Sequence, residues 1–155
     1  MLYQLEKLNE TEKELVLNAP AYITLLIAGA DDDITESEIR RSLQLVHTKT
    51  YSESIDIQDI YEKIDRDFED RLTDLIDSLP KTLQEREATI LGELSKLNTI
   101  LPKMDTKISS KYYQSLLSFA TFIAQAAGGI VGFDKVSHRE EKFVKLPMIK
   151  DPKLA

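Results

Sequence analysis

The chain has 155 residues, of which 42% are hydrophobic and 30% charged, and this balance predicts one globular domain over residues 1–155 rather than a disordered chain. It contains no cysteine, which excludes disulfides and thiolate chemistry and indicates a reducing compartment, the cytoplasm. Residues 1–100 carry a net charge of −11 and residues 101–155 one of +4, without a basic stripe interleaved with aromatic residues, so nucleic-acid binding is not expected.

The first half of the chain predicts helices, because glycine and proline are scarce at five residues each. Thr11 and Glu14 fit a capping box that would begin the first helix. Pro20 cannot donate to a helix ladder, so we expect it to kink this helix or to lie in the first turn of a new one. Residues 21–30 are apolar on every side, which predicts a helix surrounded by others. Thr35 and Glu38 form a second capping box, and the helix they begin runs towards His47.

Two long amphipathic helices come next and are expected to form an antiparallel hairpin. The first covers residues 57–79 and ends at Pro80, and the second covers residues 83–101 and ends at Pro102. The first has apolar residues at spacings of three and four, which places them on one face. They are Ile60, Ile64, Phe68, Leu72, Leu75, Ile76 and Leu79.

A second central helix is predicted from Ser109 to Ala127, again apolar almost all round. Tyr112 and Tyr113 lie near its start and are expected to anchor it at a polar boundary. Ser137 and Glu140 form a third capping box and begin the final helix, after which the last residues are expected to be loose. The whole chain is therefore predicted to be an all-α, compact bundle of about seven helices. Its most apolar stretches are shorter than the roughly 20 residues needed to cross a bilayer, so no integral membrane segment is expected.

The two acidic turns that follow the central helices share a pattern, Asp-x-[Ile/Val]-[Thr/Ser]-x-x-Glu. When Ile34 is set over Val136, the aligned pairs are Asp32 with Asp134, Thr35 with Ser137, and Glu38 with Glu140. This repetition predicts a duplication with two pseudo-equivalent helix, acidic turn and helix units.

Residues 30–38 read Ala-Asp-Asp-Asp-Ile-Thr-Glu-Ser-Glu, which resembles the Ala-Asp-Gly-x-Ile-x-x-x-Glu signature of the TerB-like family associated with tellurite resistance. The resemblance implies an all-helical fold in which two acidic turns are brought together. It also implies a role in metal binding or stress response rather than a defined reaction. By this resemblance the metal-binding residues are Asp31, Asp32, Glu38, Asp134 and Glu140. The chain departs from the pattern at Asp32, where the family favours glycine, and at Phe133, which stands where Asp31 would be repeated.

The carboxylates of the first turn could bind calcium or magnesium, which prefer oxygen ligands, or they could simply favour the positive end of a helix dipole. An EF-hand loop is excluded, since Glu36 and Ser42 stand where its glycine and its bidentate glutamate are needed. His47 and His138 lie outside any catalytic motif and are expected at the surface, so no enzymatic activity is expected.

Three functions remain open from the sequence. The first is a non-enzymatic TerB-like module, metal-responsive or stress-responsive, whose acidic turns bind a divalent cation or a protein partner. The second is a carboxylate-based, metal-dependent hydrolase, which would need its carboxylates to converge in a pocket. The third is a subunit of a helical assembly, which would need an exposed apolar patch.

Overall fold

The computed structural model describes residues 2–29, 36–128 and 142–154, and within these ranges the protein is helical with no strand. The α-helices are α1 (Glu10–Ala28), α2 (Glu36–Ser52), α3 (Ile55–Ser78), α4 (Leu83–Ser95), the single-turn α5 (Leu97–Ile100) and α6 (Thr106–Gly128). Short 3₁₀ helices cover Tyr3–Leu5, Leu101–Lys103 and Pro152–Leu154. The all-α prediction is confirmed. The helix predicted from Ser137 begins outside the described residues.

The first helix begins at a capping box two residues earlier than expected. The Asn9 side chain accepts a hydrogen bond from the Glu12 backbone N–H at 2.9 Å, and the Asn9 N–H donates to the Glu12 carboxylate at 3.0 Å. Thr11 and Glu14 have the same spacing, but the predicted box is wrong because Thr11 already lies in the first turn of α1. Asparagine is as good an N-cap as serine or threonine, so both registers satisfy the sequence rule.

Pro20 lies inside α1, which continues from Glu10 to Ala28 instead of restarting. A proline has no N–H, so it cannot donate to the carbonyl of Val16 four residues earlier. The Tyr112 hydroxyl of α6 donates to this carbonyl at an O···O distance of 2.5 Å, and both Val16 and Tyr112 are fully buried. A side chain from another helix therefore replaces the hydrogen bond that Pro20 removes.

The core is built around α1, which packs against α3, α4 and α6. Thirteen of its nineteen residues are buried, as predicted for a helix apolar on every side. The apolar face of α3 also meets the prediction, and its Phe68 lies edge-on to Phe119 of α6 with ring centroids 6.4 Å apart. Ala120 and Ala124 of α6 are buried, and their small side chains allow a neighbouring helix to approach closely.

The expected hairpin of two long helices is not formed. The helix α3 packs against α1, α2 and α6, whereas α4 packs against α1 and α5. Leu79 and Thr82 both have extended backbones, with ψ of 155° and 141°, and the turn they flank directs α4 towards α1. The predicted helix over residues 83–101 is also divided, because α4 ends at Ser95 and Pro102 lies in a 3₁₀ helix.

Both α1 and α6 run parallel to α3, because their contacts with α3 advance along the two chains together. These contacts join Gln4 to Asp56, Asn18 to Arg71, Tyr61 to Ser115 and Phe68 to Phe119. Consequently α1 and α6 end at the same end of the bundle.

The C-terminal segment is held by Asn98, and the expectation that it is loose is wrong. The Asn98 side-chain amide donates to the Met148 carbonyl at 2.9 Å, and its oxygen accepts from the Lys150 N–H at 2.8 Å. Leu146 and Ile149 are buried, so apolar packing reinforces this clamp.

Candidate functional site

Only one of the five predicted metal-binding residues lies in the described part of the chain. Glu38 belongs to the first turn of α2, where it is partly exposed. The other four are Asp31, Asp32, Asp134 and Glu140, and they lie outside the described residues, as do Thr35, Ser137 and His138. The geometry that bears on this site is therefore that of the helices that lead into the two turns.

Arg86 caps the C-terminal end of α1, which precedes the first acidic turn. Its guanidinium donates to the carbonyl of Gly29 at 3.2 Å and to that of Lys81 at 3.4 Å. A cation at a helix C-terminus complements the helix dipole and satisfies a carbonyl that has no partner within the helix. A positive charge is thus fixed only two residues before Asp31 in the sequence.

Within residues 2–29, 36–128 and 142–154, no group of three or more histidine, aspartate or glutamate side chains is arranged to hold a metal ion. His47 is an exposed surface histidine whose Nδ1 lies 3.0 Å from the Asp65 carboxylate, and its ring packs edge-on against Tyr51.

The carboxylates with shifted pKa values take part in surface ion pairs. Hydrogen bonds from lysines are the main cause in each case, from Lys103 to Glu12 and from Lys111 to Asp56, and they lower the pKa of both carboxyl groups. A general acid would need a raised pKa. These carboxylates therefore contribute to surface electrostatics and do not have the properties of a catalytic acid.

The tyrosines near the start of α6 lie in the core and not at a polar boundary as predicted. Tyr112 is fully buried, and burial raises its pKa well above the ordinary value. Tyr61 of α3 is equally buried with a raised pKa, and its hydroxyl lies 2.7 Å from the Ser115 hydroxyl. Both phenols remain protonated at neutral pH, so they act as hydrogen-bonding groups of the core.

A cavity of about 490 Å³ lies between α1 and the α4–α5 segment. Four glutamates and four other polar residues contribute to its lining together with Leu15, Tyr22 and Ile100, although most of the wall surface consists of apolar atoms. The full lining is Glu10, Thr11, Glu12, Glu14, Leu15, Asn18, Tyr22, Glu93, Lys96, Thr99 and Ile100. Its volume falls within the range of about 300–1,000 Å³ typical of small-molecule sites.

Tyr22 is the one aromatic residue in the lining of this cavity. The residue as a whole is 8% exposed, and its hydroxyl makes no hydrogen bond to any residue of the described ranges. Burial raises the pKa of this phenol, and the nearby carboxylate of Glu93 raises it further. Within the described ranges, the buried side-chain atoms without a hydrogen-bond partner are Gln4 Oε1 and Arg71 Nε, so the Tyr22 hydroxyl is accessible to solvent from the cavity.

A polar stripe on α1 marks this cavity in the sequence. Glu10, Glu14, Asn18 and Tyr22 are spaced by four residues and therefore lie on one face of α1. The last two lie within or beside an otherwise apolar run, and a polar stripe entering a buried helix favours a solvent-filled groove.

Comparisons with protein-family models, with curated proteins and with solved structures found no match for this chain. The TerB-like assignment therefore stays a prediction based on residues 30–38 and on the repeated turn. None of the helices in the described ranges is both long enough and apolar enough to cross a membrane.

Proposed function

We propose that this chain is a non-enzymatic TerB-like module in which the two acidic turns together bind a divalent cation, calcium or magnesium, and respond to metal or stress. One observation carries the proposal: α1 and α6, the helices that lead into the turns, run parallel and end at the same end of the bundle. Each copy of the duplicated unit supplies one turn, and the two turns can share one ion only if the helices before them end at the same end of the bundle.

Arg86 favours a shared site over one made by the first turn alone. Its positive charge beside Gly29 offsets part of the negative charge of the nearby aspartates. Calcium takes six to eight oxygen ligands, and magnesium takes six while retaining several waters. Asp134 and Glu140 from the second turn would supply additional carboxylates. Their negative charge would compensate for the positive charge of Arg86, so that a cation could still bind.

A protein partner is the alternative ligand of the same turns, and a helical assembly is the second candidate function. The assembly is favoured by Tyr51 and Ile55, which flank the short connection between α2 and α3 and are 69% and 77% exposed. Light scattering after size exclusion would support it if the mass rose with concentration, and a constant monomer mass would contradict it. Nothing in the described cavities favours the hydrolase.

The cation proposal is tested by thermal unfolding with calcium, magnesium, manganese and zinc, in the wild type and in an Asp32→Ala, Asp134→Ala double variant. An ion that binds only the folded chain raises its stability by RT ln(1 + [L]/Kd). At ion concentrations 100 times Kd this amounts to about 2.7 kcal/mol, which is readily measured.

The matched control is an Asp59→Ala, Asp74→Ala variant, which removes two exposed carboxylates of α3 and changes the net charge equally. We expect an ion-specific rise in Tm for the wild type and this control, and none for the Asp32, Asp134 variant. If no ion raises the Tm at millimolar concentrations, or if all three proteins respond equally, the shared cation site does not exist.

A further inference from the structure

We propose that the C-terminal segment, residues 142–154, is bound as a peptide ligand in a groove on α5 and α6, and that this groove also binds the same segment of a second copy of the chain. The way in which the segment is held carries the proposal. Among the described residues, its hydrogen bonds to the helices are the two made by the Asn98 side chain. The rest of its attachment is apolar.

Asn98 binds the backbone of the segment. Its amide N–H donates to the Met148 carbonyl at 2.9 Å, and its oxygen accepts from the Lys150 N–H at 2.8 Å. A side-chain amide can make both bonds at once because it carries a donor and an acceptor. In peptide-binding sites, bonds to the main chain give affinity and pockets for side chains give specificity. Asn98 supplies the first of these contributions.

Three apolar side chains at a spacing of three residues supply the second contribution. Phe143, Leu146 and Ile149 are almost fully buried in the common core. The Leu146 N–H donates to the Phe143 carbonyl at 2.9 Å, and the Ile149 N–H donates to the Leu146 carbonyl at 3.0 Å. Bonds between residues three apart bring their side chains to the same side of the segment. The segment therefore has one face in the groove and one in solvent, as a docked peptide has.

Leu146 shows that the docked conformation is strained. Its φ is 47°, and no other non-glycine residue of the described ranges has a positive φ. A residue with a Cβ atom is strained in this left-handed region and persists there only where its surroundings require it. The strain lowers the stability of the docked segment relative to the released one, so release is easier than the buried area alone would suggest.

The groove is formed by helices that are held in place without the segment. Asn98 belongs to α5, and Lys153 lines a groove with Ser110 and Gln114 of α6. The 3₁₀ helix Pro152–Leu154 packs against α6. Both α5 and α6 also pack against α1. Release of the segment would therefore leave a formed groove with unoccupied apolar positions.

Charge favours the segment of a second copy as the occupant. Residues 142–154 contain one aspartate and four exposed lysines, which gives them a charge of +3, and the remainder of the chain therefore carries −10. Opposite charges attract the segment to the acidic body of another copy before it docks. The same three apolar residues then fit the same groove. Reciprocal exchange of an identical element between two copies is domain swapping, which gives dimers at low cost.

This exchange depends neither on the acidic turns nor on the exposed Tyr51 and Ile55. Failure of the cation proposal would leave it intact, and so would failure of an assembly through those two residues. The tests also separate the cases, because a peptide that occupies the groove blocks the exchange and leaves the other interactions unchanged.

The test uses the full chain and a fluorescein-labelled peptide with the sequence of residues 142–154, titrated by fluorescence anisotropy. Phe143→Ala and, separately, Ile149→Ala weaken the chain's own segment and leave the groove unaltered. The matched control is Ile90→Ala, which removes a side chain buried to a similar degree in α4. A second peptide has serine in place of its three apolar residues and keeps the charge. Circular dichroism during heating checks that each variant folds.

In the wild type the tethered segment competes with the peptide at an effective concentration in the millimolar range, so we expect weak binding. The peptide should bind about tenfold or more tightly to Phe143→Ala and to Ile149→Ala. Adding Asn98→Ala to either variant should weaken binding about tenfold, because both backbone bonds are lost. Ile90→Ala should bind the peptide as the wild type does, and the serine peptide should bind to none of the proteins.

The second copy is tested by light scattering after size exclusion. Wild-type protein incubated at millimolar concentration should contain a dimer, and incubation with excess unlabelled peptide should prevent its formation. A dimer that forms equally well with the peptide, or a mass that stays monomeric, would overturn the exchange.

The groove itself is overturned if the peptide binds neither segment variant, or if Ile90→Ala or the serine peptide gives equal binding. If Phe143→Ala and Ile149→Ala both unfold, the segment is an integral part of the core and the proposal is wrong.

Discussion

Tyr112→Phe removes the hydroxyl that bonds the Val16 carbonyl and leaves the aromatic ring in place. Both residues are fully buried, and Pro20 cannot supply a replacement N–H, so the carbonyl would lose its partner without gaining water. A buried polar group without a partner costs about 1–3 kcal/mol. We therefore expect the free energy of unfolding to fall by about 2 kcal/mol, within that range.

Pro20→Ala makes this prediction specific, because alanine restores a backbone N–H to the Val16 carbonyl. In the Pro20→Ala background, Tyr112→Phe no longer leaves the carbonyl without a donor and should cost less than about 1 kcal/mol. The difference between the two costs is the coupling energy of the cycle, which we expect to be about 1–2 kcal/mol. Changes caused by losing the proline ring itself cancel in this comparison.

Urea unfolding of the four proteins, followed by circular dichroism, measures these values. Tyr113→Phe is the control, since Tyr113 is 8% exposed and its hydroxyl makes no hydrogen bond to a described residue. It should change stability by less than about 0.5 kcal/mol. A cost of Tyr112→Phe that is the same with and without Pro20 would refute the idea that the tyrosine compensates for the proline.

Two further predictions concern the C-terminal clamp and the buried phenol of α3. Asn98→Ala removes both hydrogen bonds to the backbone of Met148 and Lys150 and should destabilise the fold by about 1–3 kcal/mol. Hydrogen exchange should then accelerate at residues 146–150 before it does so in α1, and uniform acceleration would argue against a local clamp. Burial raises the pKa of Tyr61 in the folded state, so its stabilising contribution is present below pH 10 and is lost as the pH rises towards the folded-state value. Above pH 10 the free energy of unfolding of the wild type should therefore fall more steeply with pH than that of Tyr61→Phe, by about 1.4 kcal/mol per pH unit. Urea unfolding at several pH values measures both slopes, and equal slopes would contradict this prediction.

The features that sequence reasoning predicts well are those set by a local repeat. The apolar spacing of α3 determines which face is buried, and Phe68 and Leu72 lie in the core as expected. The apolar runs of α1 and α6 likewise predict central helices, because a helix without a polar face must be covered by its neighbours.

The features that it misses depend on contacts between distant residues. From the sequence alone, Pro20 indicates a break in the helix. The helix continues because Tyr112, 96 residues from Val16, donates a hydrogen bond to the Val16 carbonyl. The direction of α4 follows from packing on α1, so the pattern of two amphipathic helices could not decide their pairing. For the cavity, the four-residue spacing that ends at Tyr22 was present in the sequence. The facing Glu93 could not be assigned to the same groove without the fold.

The proposed cation site is tested most directly by nuclear magnetic resonance with Mn²⁺, a paramagnetic ion that also takes oxygen ligands. If one ion binds between the two turns, it should broaden the amide signals at the ends of α1 and α6 together, near Ala28 and Gly128. Signals near Glu10 and Lys107, at the starts of these helices, should stay sharp. Broadening near Ala28 alone, or spread along the acidic face of α3, would contradict a site shared by the two turns.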